Sequence, residues 1–141
     1  MIYIHRDVYD AIRDALSNHL PECGGVLGAV PGSVISKFYY DEGGRSTPDS
    51  YTPDYLKINE VLENFWAPQG IQMVGIVHSH GDTGNFPSCG DLFYCEQIMK
   101  SAFLKEFLLP IVTLNPYSFH MYVVRYEYEK LSVQKDQIAL V

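Results

Sequence analysis

The sequence predicts an α/β (α+β) domain, a mixed β-sheet flanked by helices, and three observations carry that expectation. Apolar residues recur at four-residue spacing over residues 7–20, where Val8, Ile12, Leu16 and Leu20 line one side of a helix. The segment YSFHMYVVRYEYE at 117–129 is rich in β-branched and aromatic residues and alternates, which is the period of a strand with unlike faces. The run IQMVGIV at 71–77 is apolar but for Gln72, as suits a strand covered on both sides. Helices interleaved with such strands bury their apolar sides by layering onto a shared sheet.

Taken in order, MIYIH at 1–5 alternates and opens the chain as a strand, and the helix of 7–20 stops before Pro21, which cannot continue the backbone ladder. The runs at 23–30 and 33–40, CGGVLGAV and SVISKFYY, flank the turn dipeptide Pro31-Gly32 and read as a hairpin. Residues 41–54, DEGGRSTPDSYTPD, form a polar connection of a length that makes it a candidate substrate contact. A helix from Tyr55 to Trp66 leads into the strand at 71–77, which ends on His78-Ser79-His80. Beyond GDTGNFP come a helix over 88–107, a strand LLPIVTL at 108–114 and the long strand of 117–129. Residues from Lys130 onward are ambiguous between the two periods.

A chain of 141 residues fits one domain, residues 1–141, with enough length to bury a core. Its net charge of -7 provides no basic field for a phosphate backbone, so nucleic acid is not an expected partner. No apolar stretch approaches the roughly 18 residues of a membrane span, and MIYIHRDVYD lacks the apolar core of a leader peptide. A cytoplasmic location without membrane contact is the expectation. Cys23, Cys89 and Cys95 are odd in number and outside any CxxC spacing, which excludes a disulfide framework and a thiolate zinc knuckle.

The chemistry concentrates after the apolar strand. Residues two apart on a strand project to one face, so His78 and His80 aim both imidazoles at one point while Ser79 turns away. A catalytic zinc keeps three protein ligands and one open position, commonly with a carboxylate among the three. Asp91, in the first turn of the next helix, is the best placed carboxylate. Asp82 is the runner-up, and its reach back depends on a tight turn at Gly81 and Gly84. Hydrolysis also needs a base outside the ligand set. Glu22, between Pro21 and Cys23-Gly24-Gly25 at the entry to a core strand, is the candidate.

The run HSHGDTGNFPSCGD has the form His-x-His, seven residues, Ser, two residues, Asp, with Pro-Glu-x-x-Gly upstream at Pro21 to Gly25. This resembles the JAMM (JAB1/MPN/Mov34) metalloprotease motif, and the chain is similar to a short prokaryotic-type member without long insertions. The resemblance implies a cytidine-deaminase-like JAB/MPN domain with one zinc ion (Zn2+) per chain, held by His78, His80 and Asp91. It implies that Glu22 is the general base and that Ser88 steadies the oxyanion. The implied substrate is a ubiquitin-like protein or its conjugate, cut at a peptide or isopeptide bond after a C-terminal glycine in deconjugation or precursor processing. Gly81 departs from the family, where Pro often follows the second histidine.

Plainer readings stand beside these. Ser88-x-x-Asp91 is also a helix capping box. His5, His19 and His120 belong to no ligand spacing, and the cysteines suit small buried positions. Tyr117, Tyr122, Tyr126 and Tyr128 read as strand packing. The rival functions are a non-catalytic MPN scaffold, or a zinc peptidase acting on a cell-wall peptide or on a modifier carrying a C-terminal cysteine. The residues alone leave the oligomeric state open.

Overall fold

The structure is a computed structural model that describes residues 1–17, 22–47, 50–81 and 84–141. Strand β1 (Ile2–Ile4) leads into helix α1 (Arg6–Ser17), which buries Val8, Ile12 and Leu16 along one side. Leu20, the expected fourth member of that row, lies outside the described residues. Strands β2 (Gly24–Ala29) and β3 (Lys37–Tyr40) form the expected antiparallel hairpin. Its second strand starts later than expected, because Ile35 bridges to Ile4 instead.

The connection at 41–54 is not featureless: it folds into a small hairpin of β4 (Arg45–Thr47) and β5 (Ser50–Thr52). Helix α2 (Tyr55–Val61) follows, with Asp54 capping it through the Lys57 N–H at 3.3 Å. The helical path runs on as a π turn over Leu62–Trp66 and a 3-10 turn over Ala67–Gln69. Strand β6 (Gln72–His80) comes next, with both histidines inside it.

Helix α3 (Cys89–Ala102) ends sooner than the pattern predicts, because Phe103 turns left-handed at φ 55° and Glu106–Leu108 enters the sheet as β7. LLPIVTL is accordingly two strands. Pro110 lacks the N–H that a ladder needs, so β7 ends before it and β8 (Ile111–Thr113) begins after it. Strand β9 (Ser118–Glu127) turns into β10 (Lys130–Asp136), and β11 (Ile138–Leu140) returns to pair in parallel with β1. The tail is thus an edge strand and a closing strand.

The main sheet runs β10-β9-β7-β6-β2-β3, and β8 extends the β7 position between β6 and β9. β7 and β8 lie parallel to β6 while the other neighbours are antiparallel, so the sheet is mixed as expected. One face packs Leu27, Val77, Val112 and Val123 against Ile4, Val8, Ile12 and Leu16 of β1 and α1. The other packs Val26, Ile76, Ile111 and Val124 against Ile58, Trp66, Cys95 and Met99 from the α2 and α3 side. Burying one large aliphatic or aromatic side chain contributes about 1.5–3 kcal/mol, and the sheet collects such burial on both faces. Among the described residues, no helix is long and apolar enough to cross a membrane.

Candidate metal centre

Alternation along β6 sets the site. Val77 belongs to the α1 face, and Ser79 turns the same way to accept the Cys23 N–H at 3.0 Å. Ile76, His78 and His80 therefore face α3. The two imidazole Nε2 atoms lie 2.9 Å apart, and Asp91 Oδ1 and Oδ2 lie 3.1 Å from His78 Nε2 and His80 Nε2 respectively. The three donor groups all lie within 4.8 Å of one another, with His78 and His80 buried and Asp91 partly exposed.

The donor set fits a cation. His80 Nδ1 lies 2.9 Å from the Gly84 carbonyl, which can only accept, so Nδ1 carries its proton and Nε2 points at the cluster. Burial pushes the Asp91 carboxyl up, but hydrogen bonds from His78 and His80, with the Ser88 N–H at 2.8 Å, hold it well below the usual carboxylate range. Burial pulls His80 down, yet the hydrogen bond to Asp91, the Gly84 carbonyl and the charges of Asp91 and Glu22 carry its pKa above the ordinary imidazole value. The cluster attracts positive charge, and three converging N/O donors could hold a metal ion.

Glu22 is 2% exposed, deep beside the same face. Gly24 pairs with His78, and the Ser79 N–H donates to the Cys23 carbonyl at 2.8 Å. Continuing that register places Glu22 across from His80, where opposed residues share a face. Ser88 lies at the rim and caps α3: its Oγ accepts the Asp91 N–H at 3.1 Å while the Asp91 carboxylate accepts the Ser88 N–H. Accepting uses a lone pair and leaves the hydroxyl proton for donation. The capping box and the donor cluster share one aspartate.

Among the described residues, no other candidate joins the donor set. The Cys95 thiol, one turn beyond Asp91, is pushed up to about 12 by burial and the Asp91 charge, which excludes a thiolate. Burial also raises the Cys23 thiol, and Cys89 is exposed. His5 is exposed, and His120 neighbours Thr113 Oγ1 at 3.3 Å and Lys135 Nζ at 3.2 Å, away from the cluster. Asp82 and His19 lie outside the described residues.

Two residues that sequence reasoning did not single out join the site from the 41–54 connection. The Tyr51 ring stacks on His78 with centroids 6.2 Å apart, and its hydroxyl donates to the buried Asp41 at 2.7 Å. Their one signal was membership of a segment marked as a candidate substrate contact. Tyr51, Pro53, Tyr94 and Cys95 wall a recess of about 20 Å³ beside His78 and Asp91. A roomier groove of about 320 Å³ lies at the far end of β2 and β6, near Tyr3, Val30 and Met73, without comparable donors.

The family model described as prokaryotic homologs of the JAB domain matches residues 5–134. The chain is similar in fold to the solution structure of protein DSY2949 from Desulfitobacterium hafniense, with a TM-score of 0.75 and 20% identity over 100% of this chain and 93% of that one. No curated protein matches it. With nearly its whole length matched by the family model, the chain belongs to the prokaryotic homologs of the JAB domain.

Proposed function

We propose that residues 1–141 form one catalytic domain, a zinc-dependent hydrolase that cuts a peptide or isopeptide bond after the C-terminal glycine of a ubiquitin-like protein. The observation that carries this reading is the convergence of His78, His80 and Asp91, together with a buried acid, Glu22, that is not among the three and acts on the charge of His80. A zinc ion held there would supply Lewis-acid polarisation and a water of lowered pKa. Glu22 accepts the proton of the attacking water and returns it to the leaving amine. The Ser88 hydroxyl donates to the oxygen on which negative charge develops.

The narrowness of the recess beside His78 and Asp91 supports this substrate class. Tyr51, Pro53, Tyr94 and Cys95 crowd the approach to His78 and Asp91, which favours a small residue at the scissile position. In an extended tail, successive side chains point to opposite sides, and a glycine next to the cut leaves the carbonyl free to approach. Tyr51 of the β4–β5 hairpin is one wall of that recess.

The test is a set of ubiquitin-like partners ending in Gly, Ala or Val, each fused to a common leaving group. Initial rates fall steeply from Gly to Val, since displacement of the carbonyl on the order of an ångström costs about a hundredfold. Equal rates across the three would move the substrate to a general peptide. Zinc content near zero after reconstitution would move the chain to a metal-free scaffold.

A further inference from the structure

Three strands bring one row of residues level with the site. Gly24 pairs with His78 on one side, and on the other the Asp41 N–H donates to the Gly24 carbonyl at 3.0 Å. Directly opposed residues share a face, so Asp41, Gly24 and His78 form a line across the sheet whose middle member has no side chain.

Tyr51 fills that middle. Its hydroxyl lies 2.7 Å from Asp41 Oδ2, and its ring stacks beside His78, offset, at an interplanar angle of 25°. Two glycines keep the space open for it. A Cβ at position 24 would stand 2.7 Å from Tyr51 Cε2 and 2.9 Å from His78 Cβ, and one at position 44 would stand 2.7 Å from both Tyr51 Cε1 and Asp41 Oδ2. Asp41 is 3% exposed; Oδ2 also accepts the Asp54 N–H at 2.9 Å, while Oδ1 is buried with no hydrogen-bond partner among the described residues. An under-satisfied buried carboxylate is costly, and it persists where the surrounding structure uses it. Burial and the Asp41 hydrogen bond raise the Tyr51 pKa above its ordinary value, so the phenol stays a donor.

We propose that Tyr51 is a positioning residue for His78: anchored on Asp41, its ring holds the imidazole in line with His80 and Asp91 and ties the β4–β5 hairpin to the same point. His80 has its own orienting contact in the Gly84 carbonyl, and the aromatic face does the corresponding work for His78. Offset stacking at this centroid distance favours one ring orientation. The inference rests on the reading of His78, His80 and Asp91 as an ion site.

The experiment is zinc affinity, measured by competition with a chromophoric chelator, for the unmodified chain, Tyr51→Phe, Tyr51→Leu, Asp41→Asn and the Tyr51→Phe/Asp41→Asn double variant. Thermal melts in chelator establish that each is folded. Tyr51→Leu weakens zinc binding about 10-fold or more, the usual effect of removing a partner that orients a ligand. Tyr51→Phe keeps the volume, loses the anchor and weakens binding several-fold. The double variant binds about as Tyr51→Phe does, because the two groups act as one unit. If Tyr51→Leu does not fold, Tyr51→Phe decides the matter. Equal affinity for all folded variants would overturn the positioning role alone, whereas an unmodified chain that binds no zinc would overturn it together with the ion site.

Discussion

Glu22 has few ways to be stable at 2% exposure, since a buried carboxylate needs compensating charge or hydrogen bonds. Its placement beside His80, whose pKa it helps to raise, supplies such compensation. Glu22→Gln keeps the shape and removes the proton acceptor. Its turnover falls on the order of 10²- to 10⁴-fold, as for other general bases, while zinc per chain stays unchanged. Turnover retained together with zinc would take the base role away from Glu22. The histidines were legible in the sequence because a strand's period is two, and Asp91 because the first turn of the following helix favours an anion. Tyr51 and Asp41 were not legible. The β2–β3 hairpin was legible from Pro31-Gly32, but the two residues meet only once β5 has folded back, and that event leaves no local pattern.

At the scale of elements, α3 does two things with one turn. Its first turn presents Asp91 to β6, and Ser88 closes that turn as its cap. Ser88→Ala and Ser88→Gly separate the roles. Alanine at a cap costs about 0.5–2 kcal/mol, whereas glycine costs only a few tenths, and both lack the hydroxyl. Turnover drops on the order of a hundredfold for both variants, the effect of losing one oxyanion donor, while denaturant melts show alanine alone clearly destabilised. Turnover that followed stability, surviving in glycine, would leave Ser88 as a cap and nothing more. Element boundaries were harder to read than element types. The residues LKEF at 104–107 are acceptable in a helix, yet Phe107 is fully buried between neighbouring strands, and that packing overrides propensity. β10 escaped because it is an edge strand, with Leu131 and Val133 half-buried between exposed polar neighbours.

Across the whole molecule, an ion at this site would join the sheet to the α3 layer, because its ligands come from β6 and α3. A ligand that binds only the folded chain stabilises it by mass action, about 2.7 kcal/mol at a hundred times its dissociation constant. For a chain of this size that is a rise in Tm of roughly 5–10 °C. The pH dependence follows from the directions of the shifts. Asp91 is depressed, so its contribution to the chelated protein is present above the ordinary carboxylate range and is lost as pH falls toward its lowered value. His80 is raised, so its contribution is complete below the ordinary imidazole range and is lost as pH climbs through its raised value. The chelated cluster is therefore most stabilising in the mildly acidic window between them. Zinc works in the opposite sense, since imidazoles must be neutral to bind it and protons compete. The gap in Tm between zinc-loaded and chelated protein is accordingly small near about pH 5 and widens toward about pH 8, as protons compete less with the metal. Asp91→Ala abolishes the gap at every pH. Scanning calorimetry of both forms across that range decides it: a zinc-induced gap that is independent of pH, or that survives in Asp91→Ala, would place the ion somewhere other than on His78, His80 and Asp91.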